Sequence, residues 1–535
     1  MCPGVGRNLI LTGFMGTGKT WLGREVARRM GRPFVDMDAV IKERAGRPVA
    51  RIFAESGEEA FRQMEADLCR ELARPLGLVI STGGGALLRA ENRALLQQGG
   101  VVVCLNAPVD EILRRLQDSR TERPLLNVPD PRAEIARLLA ARREAYAAIP
   151  WQIDTEGRSL DSLAEEVMAL AEVRTLAVRH LDGSYPIHIG AGLLDQIGGA
   201  LRAAGAPKGC RVAVVSNPVV APHYAYRVCQ SLESRGFHPA LCTIPDGEPH
   251  KTLATVSALY DQFLQDHLDR SSVVLSLGGG VTGDIAGFAA ATFMRGVRFA
   301  QIPTSLLAMA DASVGGKTGV DLPQGKNLVG AFKQPLLVLI DPATLETLPI
   351  DEARSGMAEV LKHGILADPE LFASLKDGPT GQPSPLTVEQ WVRVLRVKIE
   401  VVEEDPLEAG RRAVLNLGHT VGHALERLSR FSLRHGEGVS IGLVAAARIS
   451  VELGRASRPV QDSIESALSA WGLPIRCPAH PIHQIWEAMT HDKKRQGQDL
   501  RWILPEAIGR VTLVDRVPRE TVERVLLEMG ARREP

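Results

Sequence analysis

Residues 13–20 of the chain read GFMGTGKT, an octet of the form GxxxxGK[ST]. In such a loop glycines let successive backbone N–H groups turn inward on phosphate oxygens, and the helix that starts at the lysine adds partial positive charge. Here Gly13, Gly16, Thr17 and Gly18 would form the nest of an ATP site, Lys19 would reach the transferred phosphoryl, and the Thr20 hydroxyl would hold magnesium. The alternative is a Gly-rich turn that binds nothing. It is disfavoured by the apolar strand pattern over residues 8–12 and the helical pattern over 20–29 that flank the octet.

An acceptor pocket needs further groups in the same half. Asp36 and Asp38 follow a strand pattern with period-two spacing, which predicts both carboxylates on one side, one toward magnesium and one toward an acceptor hydroxyl; singly, each reads as a cap. Gly83, Gly84 and Gly85 follow the strand pattern 78–82 and offer either a backbone edge open to a small ligand or a tight turn. Arg62, Arg123 and Arg142 carry guanidinium forks suited to a carboxylate or a phosphate, although a lone arginine is usually solvated.

The second half holds a different inventory. Glu359 in GMAEVLKHG, His419 in NLGHTVGHALE and His435 in LRHGEG are ligand types that suit zinc with an open position. His419 and His423 are four apart and share a helix face, but Thr420 stands where HExxH has glutamate, so a zincin protease is excluded. Any one of these histidines alone would read as a hydrogen-bonded helix residue. Asp311, Lys317, Lys326, Asn327, Lys362, Lys398, Arg412 and Asn416 accompany them, a density that suits a ligand bearing phosphate and carboxylate. Apolar and glycine neighbours in LLAMADASVGGK and GKNLVGAF predict a buried loop there. Gly278, Gly280 and Gly283 spell GxGxxG after the apolar run 273–277, so a pyrophosphate could lie on the helix end. The acid expected about 20 residues on is missing, since Gln301, Ile302 and Pro303 occupy that place, and an ordinary Rossmann dehydrogenase is disfavoured.

The elements that must position these groups follow from periodicity. Strands at 8–12, 78–82 and 101–105 separated by helical patterns predict a parallel α/β sheet. A serine-capped helix over 159–172 gives way to strand alternation over 174–190 around Gly183, placing a boundary near residue 173. Strands at 211–215, 241–244, 273–277 and 299–302 predict a second α/β sheet, and beyond about 350 the chain reads as mainly helical apart from a Gly/Pro/Ser-rich loop at 377–385. The predicted domains are therefore 1–172, 173–349 and 350–535.

The 535 residues exceed one domain, and 45% apolar with 24% charged residues is ordinary for globular chains. Sixty-three basic residues balance sixty-three acidic ones, so there is no global field to attract nucleic acid or an anionic membrane. Seven cysteines form no CxxC pair, which suits reduced thiols. No signal-peptide pattern and no run of eighteen apolar residues occurs, and the expected location is the cytoplasm.

Across nearly all of residues 1–172, the P-loop, DMD, GEEAFRQME, STGGG, ERPLL and RREAY segments resemble shikimate kinase. The resemblance implies ATP-dependent phosphorylation of the 3-hydroxyl of shikimate. Asp38, Arg62, Gly84 and Arg142 (with Arg143 as the neighbouring alternative) would hold shikimate, Asp36 would help position magnesium, and Arg123 would come from a closing lid. Over about 174–535, PDGEPHK, GGGVTGDIAGFAAATFMRGVRF, IPTSLLAMADASVGGKTGVDLPQGKNLVGAF and HDKK, with the three ligand segments, resemble 3-dehydroquinate synthase. That implies a bifunctional enzyme whose second half cyclises 3-deoxy-D-arabino-heptulosonate 7-phosphate with loss of phosphate, using NAD and a divalent metal, zinc or cobalt. Glu359, His419 and His435 would be its ligands. Lys317, Asn327, Lys362, Lys398, Arg412, Asn416 and His423 would surround the substrate, with Asp311 between substrate and cofactor. Asn217, Glu248, Lys251, Gly279, Gly280, Val281, Asp284, Thr304, Ser305, Lys317, Lys326 and Thr347 would face NAD. Homodimerisation through the C-terminal half is a further expectation from the resemblance. The rivals are a related sugar-phosphate cyclase, a metal-dependent alcohol dehydrogenase, and a kinase half that senses nucleotide without turnover.

Overall fold

Short apolar strands linked by amphipathic helices bury both faces of a parallel sheet, and the structure carries two such sheets. It is a computed structural model that describes residues 6–74, 76–117, 128–379, 386–408, 410–430, 432–494 and 500–533. The chain divides into two compact units, one of Met1–Val173, Gly190–Cys210 and Tyr226–Pro239, the other of Arg174–Ile189, Arg211–Ala225 and Ala240–Pro535.

In the first unit, strands run in the order Phe34–Asp36, Val79–Ser81, Asn8–Gly13, Gly100–Asn106, Trp151–Asp154, all parallel. Asn8–Gly13 is central and wholly buried, so the loop that follows it emerges from the most rigid part of the sheet. The strand expected ahead of Asp36 is present as the short Phe34–Asp36, whereas Trp151–Asp154 was not read from the sequence, because WQID carries no run of apolar residues.

In the second unit the order is Arg174–His180, Gly183–Ile189, Val338–Ile340, Arg298–Pro303, Val273–Gly278, Arg211–Ser216, His238–Thr243. The first pair is antiparallel, closed by the turn at Gly183. The strand expected at 241–244 spans His238–Thr243 instead, starting earlier and ending one residue sooner. A second correction concerns the segment expected to be a buried loop: Lys317–Leu322 and Gly325–Phe332 form an antiparallel hairpin, and the second strand is largely open, with Leu328 and Phe332 exposed. Gly287 of the Gly280–Thr292 helix lies against it, where an added Cβ would stand 2.3 Å from Thr318 Cγ2.

Beyond residue 350 the helices Ile350–Ala367, Val388–Glu404, His419–Leu428, His435–Glu452, Arg458–Ala470, Ile482–Lys494 and Arg519–Met529 share one core around Trp391, with one hairpin, Trp502–Ala507 with Arg510–Val514. Among the described residues no helix is long and apolar enough to cross a membrane.

Candidate functional site

The octet lies between a buried strand and the Lys19–Met30 helix, with Gly13, Gly16 and Gly18 at φ of +134°, +81° and +94°. Residues with a Cβ rarely adopt such values, which is why glycine recurs there. At Gly13 an added Cβ would also meet Leu105 O at 2.2 Å. Lys19 Nζ donates to Phe14 O at 2.8 Å, folding the lysine back over its own loop, and Thr17 Oγ1 donates to the same carbonyl.

Asp36 accepts from Thr20 Oγ1 at 2.8 Å, and its other oxygen caps the Met37–Ala45 helix through Ala39 N. Asp38 sits in the first turn of that helix, not on the strand, so the period-two expectation does not hold. A cap ends the strand at Asp36 and rotates the next carboxylate by helical spacing.

The three glycines after the Val79–Ser81 strand form a cradle. A Cβ on Gly83 would lie 2.6 Å from Asp38 Oδ1 and Glu65 Oε1, one on Gly84 3.4 Å from Arg142 Nη1, and one on Gly85 2.0 Å from Arg62 Nη1. Two arginines and two carboxylates thus face one backbone edge. Arg142 is buried, donates to Gly84 O and lies 5.1 Å from the Phe14 ring centroid, whereas Arg143 is exposed. Tyr146 donates to the same carbonyl at 2.7 Å. Glu65, not singled out from the sequence, is buried against Arg62 at 2.7 Å; burial outweighs that cation and pushes its carboxyl up to about 7. Arg123 lies outside the described residues.

In the second unit, Glu359 projects from the Ile350–Ala367 helix, while His419 and His435 each open a helix. His419 Nε2 is 3.7 Å and His435 Nε2 3.5 Å from the same oxygen, Glu359 Oε1, and this oxygen has no hydrogen-bond partner among the described residues. Ligand atoms of a tetrahedral zinc at about 2.1 Å would be about 3.4 Å apart, so the gap suits such an ion. Both Nδ1 atoms are engaged elsewhere, at Leu417 O (3.1 Å) and Glu426 Oε1 (2.9 Å), which leaves both Nε2 atoms turned toward Glu359.

Close helix contacts set this convergence. An added Cβ on Gly442 would stand 1.8 Å from Gly418 O, one on Gly436 1.8 Å from Ser355 O, and one on Gly422 2.9 Å from Gly438. Electrostatics complete the site. Glu359 is ion-paired with Lys362, and although burial opposes ionisation, Lys362 and the imidazoles hold the carboxyl well below its usual range. Burial drives His419 well down, so its imidazole is neutral. Burial also opposes the charging of His435, but Glu359 and Glu426 outweigh it and hold the imidazole up at about 10, so an ion that binds at Nε2 displaces a proton there. His423 is exposed, its ring 4.9 Å from that of His419 and 5.8 Å from that of His435.

A cavity of about 520 Å³ is lined by Asp284, Asp311, Lys317, Asn327, Lys398, Glu408 and Arg412, among others. Lys398 donates to Asp311 Oδ1 at 2.6 Å. Lys362 donates to Leu415 O, Lys317 pairs with Glu408, and Arg412 donates to Pro406 O at 2.9 Å. Burial lowers Lys398 and Arg412 from their usual values, Asp311 notwithstanding. Asn416 is exposed in the turn Arg411–Asn416. His363, unread from the sequence, is fully buried 4.0 Å from Asp311, and burial holds it down at about 4.

Gly278 ends its strand and Gly279 caps the Gly280–Thr292 helix, which carries Val281 and Asp284. Asp284 pairs with the buried Lys251 at 2.5 Å, and Lys251 also donates to Asn327 Oδ1. Thr304 is buried with its N–H on Gly278 O; Ser305 Oγ accepts from Ala308 N. Asn217 donates to Asp246 and accepts from Val219 N and Val220 N. Glu248 pairs with Lys326 at 2.9 Å, and Thr347 Oγ1 is 2.6 Å from the Tyr224 hydroxyl.

Residues 15–172 match the shikimate kinase family model, 241–355 the 3-dehydroquinate synthase N-terminal model, and 356–495 the 3-dehydroquinate synthase C-terminal model. Over 351 residues the chain is 48% identical to a 3-dehydroquinate synthase of Synechococcus sp., spanning 64% of this chain and 95% of that protein. A 3-dehydroquinate synthase of Gloeobacter violaceus is 48% identical over 347 residues, 64% of this chain and 96% of that protein. The 2-epi-5-epi-valiolone synthase of Streptomyces hygroscopicus subsp. jinggangensis, solved with NAD+ and Zn2+ bound, is 27% identical with a TM-score of 0.60, covering 66% of this chain and 99% of that one. The chain belongs to the 3-dehydroquinate synthase family and carries a shikimate-kinase-like domain ahead of that region.

Proposed function

We propose that the chain is a bifunctional enzyme of the shikimate pathway: it phosphorylates shikimate at the 3-hydroxyl with ATP, and it cyclises 3-deoxy-D-arabino-heptulosonate 7-phosphate to 3-dehydroquinate with loss of phosphate. The observation that carries the second activity is the meeting of Glu359 Oε1 with two imidazole Nε2 atoms at 3.5 and 3.7 Å, in a unit that also holds the GxGxxG strand-to-helix turn. The curated relatives at 48% identity support this product over that of the related valiolone cyclase.

We assign the kinase to residues 1–172, NAD binding to 173–349 and the metal and substrate groups to 350–535. In the kinase, Lys19 and the inward N–H groups of residues 13–20 hold the phosphates, and the Thr20–Asp36 pair holds magnesium. Asp38 accepts the acceptor's hydroxyl proton; Arg62, Arg142 and the Gly84 edge take its carboxylate. Arg123 serves the transferring phosphoryl.

In the synthase, a divalent metal would supply Lewis acidity toward a substrate hydroxyl and NAD would supply a reversible hydride acceptor. Glu359, His419 and His435 hold the metal; Glu248, Lys251, Gly279, Gly280, Asp284, Thr304 and Thr347 flank NAD, with Asn217, Val281, Ser305 and Lys326 at its edges. Lys317, Asn327, Lys362, Lys398, Arg412, Asn416 and His423 hold the substrate's phosphate and carboxylate ends, which orients one flexible molecule for ring closure. Asp311, held anionic by Lys398, orients that lysine between the two ligands. A cytoplasmic homodimer formed through the C-terminal half is part of this reading.

The test is two assays on the purified full chain: shikimate with ATP, and the heptulosonate phosphate with NAD and zinc, each with product identification. Formation of shikimate 3-phosphate and of 3-dehydroquinate is expected. A different carbocycle in the second assay would overturn the synthase reading, and no phosphate transfer in the first would overturn the kinase reading.

A further inference from the structure

Glu426 has no part in the reading above. It lies on the His419–Leu428 helix, seven residues after His419 and three after His423, and is 4% exposed. A buried carboxylate needs a reason to be there, since removing it from water is costly unless it is paired. Its Oε1 lies 2.9 Å from His435 Nδ1, and its Oε2 faces Lys326 Nζ at 3.8 Å. Gly438, one turn along the facing helix, leaves the space it occupies: an added Cβ there would be 3.3 Å from Glu426 Cγ and Oε1.

We infer that Glu426 is a positioning residue for the metal centre: it accepts the Nδ1–H of His435, fixes that tautomer and ring orientation, and so presents the Nε2 lone pair to the ion shared with Glu359 and His419. This rests on the metal reading proposed above. An imidazole has two nitrogens, and the one that is not protonated coordinates; a carboxylate on the far nitrogen decides which. His419 solves the same problem with a backbone carbonyl, Leu417 O. His423, Glu426 and His435 also cluster closely enough to suggest a second ion. At 2.9 Å, however, the His435–Glu426 separation is that of a hydrogen bond and is shorter than the about 3.4 Å between two ligand atoms of a tetrahedral zinc.

The experiment measures zinc affinity and stoichiometry on the full chain by competition with a chromophoric chelator, for wild type, Glu426→Ala and Glu426→Gln. Shikimate phosphorylation and thermal unfolding of the metal-free protein serve as checks on folding. The expected results are one tightly bound zinc in wild type, affinity weakened by about 10- to 100-fold in Glu426→Ala, and most of it restored in Glu426→Gln, whose amide oxygen still accepts from Nδ1–H. Equal affinity in wild type and Glu426→Ala overturns the inference alone, as does a Gln variant as weak as Ala. Two zinc ions in wild type with one lost in either variant makes Glu426 a ligand and overturns it too. Should Ala misfold, the Gln variant still decides between rescue and loss. No zinc binding by wild type sinks the metal centre and this inference together.

Discussion

Gly442→Ala tests whether helix contact, and not only ligand identity, builds the metal centre. The new Cβ would stand 1.8 Å from Gly418 O, and contacts of this kind under 3.0 Å are essentially never found, so the two helices must part by about 1.2 Å. Gly418 immediately precedes His419, and its left-handed φ of +81° leaves it little freedom to absorb the shift locally. Metal–ligand distances tolerate only about 0.2 Å. Overpacking of this kind costs about 1–3 kcal/mol. If that cost falls on the metal-bound geometry, zinc affinity drops about 5- to 150-fold. Chelator competition measures this directly, and thermal unfolding of the metal-free chain shows how much of the cost falls on folding instead. Gly454→Ala, just past the end of the same helix, is the control: its added methyl meets nothing within 4 Å, its φ of +65° makes alanine cost folding stability, and it should leave zinc binding alone. Wild-type zinc affinity and stability in Gly442→Ala would refute the reasoning.

Lys19→Ala is expected to lower shikimate phosphorylation on the order of 100-fold or more and to spare cyclisation, with His435→Ala doing the reverse; loss of both activities in either variant would contradict separable sites. A zinc-selective chelator should silence the cyclase alone in a magnesium-replete kinase assay, and undiminished cyclisation after verified metal removal would exclude the metal role. His188, buried on the Gly183–Ile189 strand beside Thr175, is held by burial down at about 4. The unfolded chain takes up its proton near pH 6.5 and the folded one only near 4, so stability is full above 6.5 and falls through that window, by up to about 3 kcal/mol. His188→Gln should flatten the fall, as read by denaturant unfolding of the second unit between pH 4 and 7.

Legibility followed contiguity. The octet at residues 13–20 needs only a strand before it and a helix after it, so local spacing settled its form, and the same holds for Gly278 to Gly283 after the mainly apolar VVLSL. Asp36 and Asp38 show where such reading stops. Their spacing fits a strand, but a cap at Asp36 converts the next residues to helix, and three-residue strands carry too little pattern to betray the change. GKNLVGAF looked buried from its glycines and leucine, yet its glycines serve close backbone pairing across the hairpin, where Gly330 and Gly319 face each other.

Glu359, His419 and His435 were named by residue type and by likeness to a known enzyme, because composition alone makes each an ordinary helix residue. Their distances to one another depend on Gly442 against Gly418 and Gly436 against Ser355, contacts between segments far apart in sequence. Glu426 and Glu65 escaped notice for the same reason: a carboxylate on an amphipathic helix reads as solvated until the fold buries it against His435 or Arg62. The order of residues thus determined which chemistries were available, since motifs with short-range geometry carry their own backbone conformation. Only the packed structure decided which side chains meet, since that depends on helices brought close by the absence of a single methyl group.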